Sequence, residues 1–215
     1  MKKIFVPFLL LVSQFYCYSQ LNNINHTNTT ELIVEVQKKG TLQNDKYKCN
    51  LFDWEIDIPP GFTVTSEERI KELEDKGYEA IQENAKEGKN IKRETNNLIS
   101  FEKNKSNLFS VTFESLENTK KLTLEQHKHF ISKLLEETYS GKGIKVDIAS
   151  SDLKLGKHDF YKVLIHLYHP KTNHLILTQE FYASYINNHL FSANINYTDE
   201  NLGYVMSYNF IKSFK

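Results

Sequence analysis

Cysteine is almost missing from this chain, with two in 215 residues, Cys17 and Cys49. Cys17 lies in an opening segment that reads as removable, so a single thiol is left and no internal disulfide can form. That excludes a disulfide-stapled scaffold. Charge of one sign is also missing: 27 Lys+Arg stand against 27 Asp+Glu. A balance that even argues against a broad basic face for nucleic acid and against a polybasic membrane anchor. Long apolar runs are absent too, the clearest being Ile4 to Val12, which is too short to span a bilayer. Catalytic signatures are missing as well. No Gly-any-Ser-any-Gly elbow, Ser-any-any-Lys, His-Glu-any-any-His, glycine-rich phosphate loop or cysteine pair occurs.

The first residues, MKKIFVPFLLLVSQFYCYSQ, supply a positive signal. Lys2 and Lys3 precede the apolar run, and Cys17-Tyr18-Ser19 forms a small-any-small cleavage site, the layout of an export signal over residues 1–19. Phe15-Tyr16 places bulky residues where a lipid-attachment signal needs small ones, so lipid anchoring through Cys17 is disfavoured. The expected location is therefore exported, periplasmic or secreted, with no membrane insertion after cleavage. Residues 20–45, rich in Asn and Thr at their start, read as a flexible leader in which Leu32 to Val36 can add an edge strand. Four triplets, beginning at Asn25, Asn28, Asn104 and Asn196, match the glycosylation acceptor pattern and matter only in a host that glycosylates. Residues 46–215 read as one domain. A chain of this length buries roughly 70% of its unfolded surface and needs no staple.

Within that domain, Phe52, Trp54, Ile56 and Ile58 alternate with Asp53, Glu55 and Asp57, predicting a half-buried strand that Pro59-Pro60-Gly61 stops. Thr65 and Glu68 form a capping-box pattern for a first helix with Ile70, Leu73, Gly77 and Ile81 on its apolar stripe and Gly88 near its end. Strands follow over 97–102 and 108–116. Thr123 and Gln126 make a second capping box, ahead of Phe130, Ile131, Leu134 and Leu135. From Ile144 to Tyr197 the chain is strand, broken at Gly156, Pro170–Asn173 and Asn187-Asn188, and a last helix capped by Asp199 carries Leu202, Val205, Met206, Phe210 and Phe214.

Matching apolar faces across the final hairpin favours a three-residue loop, Asn187-Asn188-His189, with Phe191 opposite Tyr185, Ala193 opposite Ala183 and Ile195 opposite Phe181. A four-residue loop at Pro170 sets His169 opposite His174, His166 opposite Leu177 and Leu164 opposite Gln179. Both faces of these strands are bulky and apolar, which calls for cover on both sides. The fold class expected is α+β, an antiparallel β-sheet covered by helices on both faces.

The strand-Pro-Gly turn ending Ile58-Pro59-Pro60-Gly61-Phe62, the element order, and the closing helix Ser207-Tyr208-Asn209-Phe210-Ile211-Lys212-Ser213-Phe214 carry a resemblance. Over residues 47–215 the chain resembles the PsbP/Mog1-like superfamily of α/β/α sandwiches. That resemblance implies binding and accessory work, as in photosystem assembly factors and a nuclear-transport cofactor, and carries over no functional residue.

The candidate metal ligands are His169 and His174, two imidazoles on neighbouring strands, with His166 on the other face. A competing account makes His166 an interior hydrogen-bonded side chain and the other two loop histidines. His127 and His129 point about 160° apart on their helix and cannot converge. Asp53, Glu55 and Asp57 read as a solvated strand face paired with lysines. Cys49 reads as a small buried residue. Tyr168, Tyr182 and Tyr185 are candidates for a partner or ligand groove, since tyrosine joins an apolar body to a polar tip. No cofactor is expected. The leading expectation is an exported, non-enzymatic binding or accessory protein of the cell envelope with a protein or small-ligand partner. The alternatives are a small metal-dependent or hydrolytic enzyme using the His166–His174 region, and a secreted inhibitor or immunity-type protein.

Overall fold

The computed structural model describes residues 40–86, 96–116 and 122–214. The export signal, residues 20–39 of the leader and Gly88 therefore lie outside the described residues. Among the described residues, ten strands and three helices follow one another as β1 (Gly40–Gln43), β2 (Lys46–Cys49), β3 (Glu55–Asp57), β4 (Thr63–Val64), α1 (Glu67–Asn84), β5 (Asn96–Asn104), β6 (Asn107–Ser115), α2 (Leu124–Gly141), β7 (Lys145–Leu155), β8 (His158–Tyr168), β9 (Leu175–Ile186), β10 (His189–Tyr197) and α3 (Glu200–Lys212). Seven strands form one sheet in the order β4-β5-β6-β10-β9-β8-β7, and β1-β2-β3 form a second, small one. Every pairing is antiparallel. The fold is α+β, as the sequence pattern predicts.

Both faces of the large sheet are covered, by different means. On one face α1 and α2 lay Ala80, Ile81, Ile131, Leu134, Leu135 and Tyr139 onto Tyr161, Val163, Ile165, Phe181 and Leu190. On the other, α3 and the small sheet bring Met206, Phe210, Tyr47, Trp54 and Ile56 onto Phe101, Phe109, Phe160, Tyr182 and Phe191. Phe52, Trp54, Ile56 and Ile58 are all buried as expected, although only Glu55–Asp57 pairs as a strand. Lys46 bridges Asp57 at 2.8 Å and Glu55 at 3.8 Å, so these two acids form the lysine-paired face anticipated. Ahead of residue 46, β1 at Gly40–Gln43 pairs with β2 through the turn at Asn44-Asp45. Cys49 is buried, and burial pushes its thiol pKa up.

The caps follow local chemistry closely. Thr123 and Gln126 close the capping box that starts α2. For α1 the cap is Ser66, whose hydroxyl accepts the Arg69 amide at 3.2 Å; Thr65, one residue earlier, is buried instead. Asp199 caps α3 by accepting the amides of Asn201 and Leu202. At Gly203 that helix presses on β10: a Cβ there would lie 2.5 Å from Tyr197 Cδ2, so glycine permits the approach.

Two registers differ from expectation. The last hairpin turns on two residues, Asn187 (φ 48°) and Asn188 (φ 62°), and pairs Phe191 with Ser184, Ala193 with Tyr182 and Ile195 with Glu180. Two consecutive left-handed residues make the tight turn whose twist matches the strands, and asparagine tolerates that conformation. Apolar matching loses because the polar partners are satisfied: Ser184 donates to the Asp159 carbonyl at 2.7 Å, and Glu180 is bonded as described below. At Pro170, His169 does face His174, its amide donating to the His174 carbonyl at 2.9 Å. A bulge after Leu167 then shifts the strands, placing His166 opposite Thr178 and Leu164 opposite Glu180.

Candidate functional site

The histidines expected around residue 170 do not form a cluster. His169 Nδ1 accepts the backbone amides of Lys171 at 3.3 Å and Thr172 at 3.2 Å, so that nitrogen stabilises the turn. His174 is exposed beside it, and His166 is half-buried, its ring 6.5 Å from that of Tyr168. Among the described residues no three His, Cys, Asp or Glu side chains gather as a metal-binding group.

The three tyrosines are also dispersed. Tyr168 sits at the half-buried end of β8, with Lys145 Nζ 5.5 Å from its ring centre. Tyr182 is buried on the α3 face, against Phe210. Tyr185 is on the α1/α2 face, where its ring lies 6.4 Å from His127. Alternation along one strand sends residues 182 and 185 to opposite sides, so no single groove contains them.

What the sheet does assemble beneath α3 is a buried carboxylate with a full set of donors. Glu180 Oε2 accepts from Tyr182 OH at 2.6 Å and Ser207 Oγ at 2.8 Å, and Lys162 Nζ lies 3.0 Å away. Tyr197 OH donates to Oε1 at 3.2 Å. Burial, and then the neighbouring Glu180 charge, hold the Tyr182 and Tyr197 hydroxyls above their ordinary pKa, so both stay protonated donors. Ser207 belongs to α3, and this bond therefore fixes the helix on the sheet. Trp54 Nε1 donates to Ser213 Oγ at 2.6 Å and pins the helix end in the same way.

The outward side of that clamped helix is apolar. Tyr204 is 69% exposed, Tyr208 49% and Ile211 43%, at positions that share one helical face. The two tyrosine rings stack at 5.9 Å with planes 20° apart, and Lys212 Nζ lies 5.8 Å from the Tyr208 ring centre. Periodicity finds this helix, but it ranks residues by what they bury; an exposed aromatic row becomes visible only once the buried side is fixed by Gly203, Met206 and Phe210.

A second polar assembly lies on the opposite face. His127, on the first turn of α2, is buried, and its Nδ1 pairs with Tyr161 OH at 2.5 Å. Desolvation lowers its pKa to about 3, so the ring is neutral. Nearby on the sheet are Ser110, Thr112, Glu114, Ser192 and Asn194, all buried. Tyr139 donates to Gln179 at 2.5 Å, and Gln179 donates to Asn196 at 2.8 Å. Convergence with His129 is not what makes this histidine informative. The signal that finds it is its place four residues before Ile131 on the buried stripe.

No protein-family model matches the chain. No curated protein matches its sequence. Among solved structures it is similar to the solution structure of cyanobacterial PsbP (CyanoP) from Synechocystis sp. PCC 6803, with a TM-score of 0.51 and 11% identity, over 91% of this chain and 98% of that one. Identity that low speaks to fold alone, and the fold is PsbP-like.

Proposed function

We propose that the protein is an exported, non-enzymatic binding or accessory module of the cell envelope, docking a partner protein through the outer face of α3. Export rests on the opening signal; among the described residues, no helix is long and apolar enough to cross a membrane. One observation carries the docking: Tyr204, Tyr208 and Ile211 stand exposed on a helix whose other side is locked by Phe210, Ser207 and Ser213. Exposed aromatics on a rigid element bury large area at small entropic cost, as binding anchors do. Lys212 at the end of the row favours a partner that offers an apolar patch bordered by acidic groups. The test is photocrosslinking in whole cells from a probe placed at position 204, with a probe at exposed Lys157 as control. The docking reading expects one discrete adduct from position 204 and none from 157. Identical adduct patterns from both positions contradict it.

A further inference from the structure

Cover on the α3 face stops short of the β7 edge. On β8, the residues turned to α1 and α2 (Tyr161, Val163, Ile165 and Leu167) are at most 1% exposed. The alternating residues on the α3 side, Lys162, Leu164, His166 and Tyr168, are only half-buried. Their β7 neighbours by register on that side, including Ala149 and Ser151, are exposed. The helix runs lengthwise beside this open strip. Its start presses on Tyr197, level with His166 through Thr178; Ser207 bonds Glu180, which pairs with Leu164; and Phe214 meets His158. Tyr204 and Ile211 stand three residues before and four after Ser207, on the flank that Ser207 turns toward β9 and β8. The strip is thus a floor of two strands with α3 as its wall. Two strands span about 10 Å, the diameter of one helix.

We propose that this shelf seats one amphipathic α-helix of the partner protein, lying antiparallel to α3; the inference rests on the α3 docking reading above. Charge along the shelf is polarised. Asp147 and Glu200 lie at the end where α3 begins, and Lys162 and Lys212 toward the end where it stops. Lys145, beyond Asp147, is engaged by Asn173 at 2.7 Å, and Glu180 is saturated beneath the helix. Helices favour acidic residues in the first turn and basic ones in the last. Such a helix matches the gradient only when it runs against α3, the direction in which the two macrodipoles also attract. Ala149 and Ser151 are small enough to let its backbone approach, and Leu164 with Tyr204 and Ile211 offers apolar surface on two sides.

The test is photocrosslinking in whole cells from probes placed singly at positions 149, 150, 151 and 204 of the full chain, with the crosslinked peptides mapped by mass spectrometry. Residues 149 to 151 are all exposed, but 150 points to the opposite side of the sheet. The expected result is one adduct mass shared by 149, 151 and 204 and missing from 150. The partner residues caught by 151 and 149 should lie three or four apart in one segment, the one caught by 151 coming first. Ala149→Glu should lower the position-204 adduct about tenfold, and Ser150→Glu should leave it unchanged. Should Ala149→Glu fail to fold, the mapped spacing decides the point. An adduct from 204 with none from 149 or 151 would overturn the shelf and leave α3 docking standing; no adduct from any position would overturn both. Caught residues two apart, as in a strand, the reverse order, an adduct of twice the chain mass, or crosslinks to residues 20–39 of the same chain would each overturn the proposal, as would an undiminished adduct in folded Ala149→Glu.

Discussion

The two faces of one seven-stranded sheet solve the same burial problem in opposite ways. Beneath α3, one buried carboxylate is saturated: Glu180 takes Tyr182, Ser207, Tyr197 and Lys162, inside an aromatic core in which Phe210 meets Phe109, Phe160, Tyr182 and Phe214. Beneath α1 and α2, polar groups are many and partly unsatisfied, from Ser110 through Asn194 and Ser192 to His127. A saturated network specifies a single rigid arrangement, whereas an unsaturated one stores a cost. The first face therefore holds α3 still on the sheet, which is what the proposed docking role requires.

The largest expected effect lies on the saturated face. Phe210→Ala should cost about 3–5 kcal/mol in chemical denaturation, since it opens a cavity among four rings. A loss under 1 kcal/mol would mean that α3 is not integral to that core. Next, Glu180→Ala should cost about 3 kcal/mol, because it leaves Lys162 and three hydroxyls without their acceptor. A neutral result would show the network to be ornamental.

On the unsaturated face the leading effect is one of pH. The His127 ring takes up a proton near pH 6.5 when unfolded and only near about 3 when folded. Unfolding therefore absorbs a proton between those values, and the contribution is fully present above the upper one and drains as pH falls. Between pH 7 and pH 5 this group alone should remove about 2 kcal/mol of stability, a slope that His127→Gln abolishes. Equal slopes in the two proteins would contradict a buried neutral histidine. The smallest effect separates the faces most sharply. Ser192→Ala should stabilise by about 1 kcal/mol, since it deletes a buried hydroxyl that has no partner. Destabilisation by the same amount would show that the hydroxyl is already satisfied.

Much of the fold was legible in the sequence because its signals are local. The alternation from Phe52 to Ile58, the Thr123–Gln126 box and the Asp199 cap each depend on residues within a turn of one another, and each marks a feature the structure has. Register was harder. Matching apolar faces is sound only where polar side chains lack buried partners, and Glu180 and Ser184 acquire theirs from β8, α3 and the β8 backbone. The β1–β2 turn at Asn44-Asp45 had the residues of a tight turn but lay in a stretch that composition marks as a leader. The site residues were the least legible. Tyr182 and Tyr185 share a strand but not a face, and His127 becomes informative only when Tyr161, from β8, arrives beside it.

On the docking proposal, α3 is rigid within and available without. The direct measurement is a paired one on Tyr204→Ser with Tyr208→Ser: thermal unfolding of the purified variant, and recovery from whole cells of the adduct formed by a photocrosslinking probe placed at position 211, compared with the same probe in the parent chain. The docking proposal predicts a melting temperature within about 2 °C of the parent, as for surface changes that move stability by under about 0.5 kcal/mol, together with loss of the adduct. An undiminished adduct in the stably folded variant would contradict it.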